Sequence, residues 1–285
     1  MDLSSLVGNT PMIKINEHLY AKFEAYNPTG SIKDRMALYI LDRAEEQGLI
    51  KKGDTIIEAS SGNTGIAFSM LGAVKGYKVK IIMPNNMSEE RKQMMRLYGA
   101  EIIEVGHNAF KEAIALRDQM NKKENYWSPK QFCNECNVKC HEETTAKEII
   151  KQLFVEERKE IEALICGAGT GGTIMGVSQS LKKINKDMKT ILVAPLEDAA
   201  LHGIQGINDG ADFLVDRSIL DGEIKIATQD AIDKARSLAK DYGLLVGISS
   251  GANILASEKW IKENKPQGVV ITFLCDRGER YMSIY

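Results

Sequence analysis

Hydrophobic positions along this 285-residue chain recur with two periods that keep trading places. Asp54-Thr55-Ile56-Ile57-Glu58-Ala59 is a short β-branched run that reads as a strand. Ala67, Met70, Leu71 and Val74 then fall at i, i+3, i+4 and i+7, one apolar helical stripe closed by Gly76. The alternation continues with a strand over 79–83, a helix over 88–98, a strand over 101–105 and a helix from 108 to about 123. The second half repeats it. A helix over 144–157 carries Ala146, Ile149, Ile150 and Leu153 on one face, followed by a strand over 162–166, a helix over 171–184 and a strand over 190–194. Helices over 229–242 and about 251–264 and a strand over 269–274 complete the pattern. This rhythm predicts parallel sheets covered by helices on both faces, with ligands at the carboxyl ends of the strands.

At roughly 150 residues per domain the length allows one large domain or two modest ones. No Pro/Gly/Ser linker, low-complexity tract or short repeat interrupts the chain, so two domains would be packed together, with the irregular segment 126–143 as their seam. Hydrophobic residues make up 44% and charged residues 27%, the balance of a compact globular chain. With 37 Lys+Arg against 39 Asp+Glu the net charge is −2, so no global field draws nucleic acid or an anionic membrane, and neither is expected as a partner. The weakly polar stretches 65–74 and 269–275 fall short of the ~18 residues a spanning helix needs. Five cysteines, three of them within 133–140, and a start without a basic or apolar leader point to a reducing cytoplasm.

Candidate chemistry sits in three turns. Asn27-Pro28-Thr29-Gly30-Ser31-Ile32-Lys33-Asp34-Arg35 runs into a helix with Ala37, Ile40, Leu41 and Ala44 on one face. A lysine in its first turn opposes the helix dipole and neighbours Arg35, both of which disfavour its charged form; a solvated surface lysine is the plainer alternative. Ser60-Ser61-Gly62-Asn63-Thr64-Gly65 lies between a strand and a helix, which makes either an anion site of N–H groups and hydroxyls or a capped turn without a ligand. Gly167-Ala168-Gly169-Thr170-Gly171-Gly172-Thr173 contains G-x-G-x-x-G, so a dinucleotide fold is weighed. The acid that reading requires is represented only by Glu197, behind Pro195, and the Thr170 and Thr173 hydroxyls suit a single phosphate monoester better.

Taken in order, these segments resemble the cysteine synthase (O-acetylserine sulfhydrylase) family of pyridoxal-phosphate enzymes. Gly8-Asn9-Thr10-Pro11, the Lys33 segment, the Asn63 loop, Met83-Pro84, Gly99-Ala100-Glu101, Gln131-Phe132, His141-Glu142-Glu143-Thr144-Thr145, the Gly169 loop, Gly247-Ile248-Ser249-Ser250-Gly251-Ala252 and Gly278-Glu279-Arg280-Tyr281 all match its landmarks. The resemblance implies a tryptophan-synthase-β-like α/β fold (fold type II) of two packed three-layer α/β/α domains. The smaller domain, 38–140, would carry the substrate-carboxylate loop; the larger, 1–37 plus 141–285, would carry the cofactor phosphate and pyridine-nitrogen sites, with Lys33 near the junction. It further implies pyridoxal 5'-phosphate held by Lys33 as an internal aldimine, Lys33 later moving the Cα proton. Asn63 would bond the ring hydroxyl, and Ser60, Ser61, Thr64 and Gln131 would bind the substrate carboxylate. Gly169, Thr170, Gly171, Gly172 and Thr173 would cradle the phosphate, and Ser249 would face the pyridine nitrogen, leaving the ring a weaker electron sink suited to chemistry at Cβ. The family generally works as a homodimer.

One departure stands out. Where the family usually reads Gly-Ile-Gly-Ala-Gly, this chain reads Gly206-Ile207-Asn208-Asp209-Gly210. A turn aspartate bonding its own backbone is the plain alternative. A carboxylate ~5 Å from incoming HS⁻ at an effective dielectric near 20 costs about 3 kcal/mol, or two orders of magnitude in rate, so synthesis from sulfide should suffer. On L-cysteine, a protonated Asp209 can instead give its proton to the departing sulfur, and the carboxylate can then deprotonate a water that adds to Cβ. The expected reaction is L-cysteine + H₂O → L-serine + H₂S through an α-aminoacrylate. Cysteine synthesis from O-acetyl-L-serine and sulfide, and lanthionine formation from two cysteines, are the alternatives within the family. A non-catalytic relative docking a partner's C-terminal tail and a nicotinamide dehydrogenase are those outside it. Segment 195–202 is shorter than the family's equivalent, and Cys275-Asp276-Arg277 departs from its commonest pattern. Cys133, Cys136 and Cys140 before His141 have a metal-like spacing, but the family pattern explains the segment, and no metal is expected. The four histidines are scattered, and the methionines, such as Met94 and Met95, read as core.

Overall fold

A computed structural model describes residues 3–157, 159–197, 203–204, 207 and 214–285. Its strands are β1 (Met12–Lys14), β2 (Leu19–Phe23), β3 (Thr55–Ala59), β4 (Lys78–Pro84), β5 (Glu101–Val105), β6 (Tyr126–Trp127), β7 (Ile161–Gly167), β8 (Lys189–Pro195), β9 (Gly222–Ile226) and β10 (Val269–Leu274). Its α-helices are α1 (Lys33–Glu46), α2 (Asn63–Lys75), α3 (Glu89–Leu97), α4 (Phe110–Met120), α5 (Cys136–Cys140), α6 (Ala146–Ile149), α7 (Gly172–Lys182), α8 (Thr228–Tyr242) and α9 (Ile248–Asn264). The chain divides into two compact units, Met1–Val7 with Asn27–Cys136, and Gly8–Tyr26 with Asn137–Tyr285.

The first unit holds a parallel sheet in the order β5-β4-β3-β6. Successive residues of a strand face opposite ways, and here both faces are covered. Ile56, Ile81 and Met83 pack with Ala37, Leu41, Ile66, Phe68 and Leu71 of α1 and α2, whereas Ile57, Ala59, Ile82 and Val105 pack with Ala113 of α4. This is a three-layer arrangement, and each such isoleucine contributes about 1.5–3 kcal/mol by leaving water. The apolar stripe on α2 is less selective than its spacing predicts. Every residue from Thr64 to Gly72 is buried, while Val74 is exposed, because the helix lies in the core and its last turn emerges from it. Gly76, with φ 83°, ends it by donating its N–H to the Gly72 carbonyl. The Lys33 helix packs its apolar face against α2, so residues 27–37 travel with this unit, where the expected boundary had set 1–37 with the larger domain.

The second unit holds a sheet in the order β1-β2-β10-β7-β8-β9, parallel except for the β1–β2 pair. Leu19, Ala163, Ile165, Val193, Val270 and Leu274 from its strands pack with Ala231, Leu238, Ile248, Ala252 and Ala256 of α8 and α9. α7 packs on β7 and β8 and on the helical stretch His141–Thr145. The alternating strand-helix pattern is borne out; β1, β2, β6 and β9 are additions, of which β1 and β6 are too brief and β9 too polar to stand out by periodicity. Segment 126–143 is less irregular than predicted. Helix begins at Cys136 rather than 144 and passes through two widened π stretches, His141–Thr145 and Ile150–Glu156. Among the described residues no helix is long and apolar enough to cross a membrane.

Candidate active site

Lys33 is the first residue of α1 and is half-buried. The turn before it is shaped by Gly30, at φ 80°, and by the buried Asp34, whose carboxylate accepts the Thr29 N–H at 2.7 Å and the Thr29 hydroxyl. The Lys33 N–H donates to the Ser31 hydroxyl at 3.3 Å. The expected lysine thus sits at a helix N-terminus whose entering turn is held by its own neighbour in sequence.

β3 delivers the second candidate loop. The buried Ser60 hydroxyl accepts the N–H groups of Gly62 and Gly65, both at 3.1 Å, which closes the turn into α2 and leaves Asn63 as that helix's first residue. A Cβ on Gly62 would stand 2.4 Å from Cδ of the buried Arg91, whose side chain would have to shift. The Thr64 hydroxyl donates to Gln131 Oε1 at 2.7 Å, and Gln131 Nε2 donates to the Ala59 carbonyl at 3.0 Å. Ser60 and Thr64 of this turn and Gln131, 67 residues after Thr64, are therefore gathered at the carboxyl end of β3. Ser61 and Asn63 lie in the same turn, half-buried.

Beneath them is a pair that sequence reasoning missed. Glu58 is fully buried, and its carboxylate accepts Arg117 Nη1 at 3.0 Å, the Gln131 N–H at 3.0 Å and the Ala59 N–H at 2.7 Å. Burial pushes the Glu58 carboxyl up, against the pull of Arg117 and the two amides. The signal was an acid inside the otherwise apolar run Ile56-Ile57-Glu58-Ala59.

In the second unit β7 delivers the glycine-rich loop. Gly171, at φ 92°, precedes α7, and a Cβ there would meet Val215 N at 2.9 Å; a Cβ on Gly172 would meet Asn137 Oδ1 at 2.0 Å. The Thr170 hydroxyl accepts Asn137 Nδ2 at 2.9 Å, and Thr173 Oγ1 lies 3.2 Å from Nε2 of the buried His141. His141 in turn pairs its Nδ1 with the Thr145 hydroxyl at 2.9 Å across the π stretch. Gly169, the residue before Thr170, is half-buried. A loop with glycines that admit no Cβ, two hydroxyls and the opening N–H groups of an 11-residue helix fits a phosphate monoester. The buried Ser249 stands in the first turn of α9. Asn253, one turn later, ties that helix to the loop: its Oδ1 accepts the Gly167 N–H at 2.9 Å while its Nδ2 donates to the Phe273 carbonyl at 3.0 Å.

Other expectations resolve locally. Glu197, weighed for a ribose, instead accepts the Thr228 N–H at 2.7 Å and hydroxyl at 3.1 Å at the start of α8. Met95 is core, as read. The five cysteines are free thiols, with Cys133 exposed and Cys140 buried. Asp209 lies outside the described residues, as do Gly206, Asn208 and Gly210; Ile207, between them, is buried against Gly167.

The chain as a whole resembles known proteins. The family model described as "Pyridoxal-phosphate dependent enzyme" matches residues 3–276. The cysteine synthase of Staphylococcus aureus strain N315 is 38% identical over 300 residues, covering 99% of this chain and 95% of that protein. A hydrogen sulfide-producing enzyme from Fusobacterium nucleatum superposes with a TM-score of 0.91 at 40% identity, covering 99% of both chains. A second hydrogen sulfide-producing enzyme of that organism gives 0.93 at 38% identity, covering 99% of this chain and 90% of that one. The cysteine synthase of Entamoeba histolytica gives 0.90 at 36% identity, covering 99% and 89%.

Proposed function

Because the chain belongs to the pyridoxal-phosphate-dependent enzyme family, in its cysteine synthase branch, we propose that it acts on L-cysteine, releasing H₂S and adding water at Cβ to give L-serine. Its fold is the fold-type-II α/β fold, its cofactor is pyridoxal 5'-phosphate, and its chemistry is β-elimination and β-replacement. When bound, the cofactor supplies an electron sink that makes the Cα proton acidic and the Cβ substituent a leaving group.

The chain's own residues divide the remaining work. Lys33 would hold the cofactor and move the proton at Cα, Asn63 would bond the ring hydroxyl, and Ser249 would face the pyridine nitrogen. Gly169, Thr170, Gly171, Gly172 and Thr173 would hold the phosphate. Ser60, Ser61, Thr64 and Gln131 would receive the amino-acid carboxylate. Asp209 would give its proton to the departing sulfur and then take one from water, so that L-cysteine + H₂O → L-serine + H₂S balances.

The observation that carries this reading is the end-to-end likeness to a hydrogen sulfide-producing enzyme, 99% of both chains, in a sequence with a carboxylate at position 209. Purified holoenzyme given L-cysteine alone should release serine and sulfide in equal amounts, and Asp209→Asn should lose most of the serine. Equal serine output from that variant overturns the assignment. The 38% identity to cysteine synthase supports a second reading, synthesis from O-acetyl-L-serine and sulfide, which predicts fast cysteine formation from that pair instead. A reducing, cytoplasmic setting agrees with the five free thiols. A homodimer is expected, which sedimentation would register.

A further inference from the structure

We propose that the buried Glu58–Arg117 pair is a positioning device that sets Gln131, and through it Thr64, to receive an amino-acid carboxylate; this rests on the reading that Ser60, Ser61, Thr64 and Gln131 form that site. A buried ion pair is a poor way to stabilise a strand, since taking both charges out of water costs about as much as their attraction returns, and apolar residues of similar size do as well or better. Yet β3, buried along its whole length, spends its fourth residue on a carboxylate. The sheet explains why.

β6 pairs with β3 only at Thr55↔Tyr126 and Ile56↔Trp127. Past Ile56 no strand among the described residues lies on that edge of β3, and Gln131 comes alongside in its place. Its N–H is taken by Glu58 Oε2 at 3.0 Å and its Nε2 donates to the Ala59 carbonyl at 3.0 Å. The other carboxylate oxygen, Oε1, accepts the Ala59 N–H at 2.7 Å and Arg117 Nη1 at 3.0 Å. Glu58 thus does with a side chain what a ladder of carbonyls does elsewhere, and an ionised carboxylate is the side chain that accepts from three donors at once. Arg117 is anchored on its far side by Asp118 Oδ1, at 2.9 Å from Nη2 and 3.1 Å from Nε.

The consequence for Gln131 is a fixed amide orientation. The Ala59 carbonyl can only accept, so it requires Nε2, and Oε1 is left to face the Thr64 hydroxyl at 2.7 Å. A flipped amide would set Oε1 against the Ala59 carbonyl, two acceptors face to face, and take from the Thr64 hydroxyl the oxygen that orients it.

The test titrates holoenzyme with L-serine and with L-serine methyl ester, which lacks the negative charge, following the visible absorbance change. Glu58→Gln should weaken L-serine about tenfold or more and the ester less than about twofold, and should raise KM for L-cysteine with kcat little changed. Equal weakening of acid and ester marks Glu58 as merely structural and overturns the proposal, as does no weakening. If Glu58→Gln fails to fold, Arg117→Lys, which keeps the charge and loses the fork, decides by the same acid-to-ester ratio. Gln131→Ala separates this proposal from the site beneath it: an unchanged ratio there overturns both, whereas a changed ratio in Gln131→Ala alone overturns only the role of Glu58.

Discussion

The loops that follow β3 and β7 occupy corresponding places in their own sheets, each leaving the carboxyl end of a buried parallel strand and running into a helix. The turn 60–65 is held by polar side chains in series: Ser60 takes two N–H groups, Thr64 leans on Gln131, Gln131 on Glu58, and Glu58 on Arg117. The turn 167–173 is held by close approach. A Cβ on Gly171 or Gly172 would collide with Val215 or Asn137, and the loop's side-chain partners, Asn137 and His141, meet the hydroxyls of Thr170 and Thr173. The first construction should therefore be sensitive to charge and the second to volume.

Arg117→Met is the strongest way to break that contrast. It leaves the Glu58 carboxylate buried and uncompensated, and should cost about 3–5 kcal/mol. The two tryptophans fall one to each unit, Trp127 in β6 and Trp260 in α9, so urea unfolding followed by Trp127 in a Trp260→Phe background measures it where it acts. A change under about 1 kcal/mol would mean that the pair is dispensable. Gly172→Ala is the corresponding blow to volume. It should cost about 1–3 kcal/mol and weaken retention of the cofactor, with part of both recovered in Gly172→Ala/Asn137→Ala, since the Cβ meets Asn137 Oδ1. Thermal scans and released pyridoxal phosphate report the two effects; a harmless single variant breaks the contrast from the other side.

The smallest effect concerns pH. Asp221 is pushed up by burial but held below the usual carboxylate range on balance by Lys182, at 2.8 Å, and the Thr190 N–H, at 2.8 Å. Its folded form binds protons less readily than the unfolded chain, so its contribution is present above the ordinary carboxylate pKa and fades as pH falls through the lowered value. Asp221→Asn should destabilise by about 0.5–1 kcal/mol at neutral pH, and the gap should close as pH falls below the ordinary carboxylate range. Glu58, raised by burial, has the opposite slope: its contribution declines as pH climbs from the ordinary value through the raised one. Matched acid titrations of Asp221→Asn and Glu58→Gln would show the two slopes crossing.

Sequence periodicity is strong where an element is long and one-sided. The Lys33 helix buries Ala37, Ile40, Leu41 and Ala44 as their spacing demands. It is weak where burial is all-round, as on α2, or where a strand lasts two or three residues, as in β6 and β1. The candidate loops were legible because glycine, serine and threonine cluster there. Their supports were not. Glu58, Asn137 and Asn253 act across 73, 33 and 86 residues, on Gln131, Thr170 and Gly167, and no local pattern encodes a partner that far away. His141 stood in plain view as one of four scattered histidines until the π stretch turned it toward Thr173.

The open flank of β3 has a meaning for the chain in a crowd of its own copies. A short, wholly buried, β-branched strand whose backbone runs out of neighbours is a template on which another chain can add itself and begin an aggregate. Gln131 and the carboxylate of Glu58 occupy those backbone positions in the folded chain. Substitutions at Glu58 or Arg117 should therefore lower the concentration the protein tolerates before it clouds, apart from anything they do to catalysis.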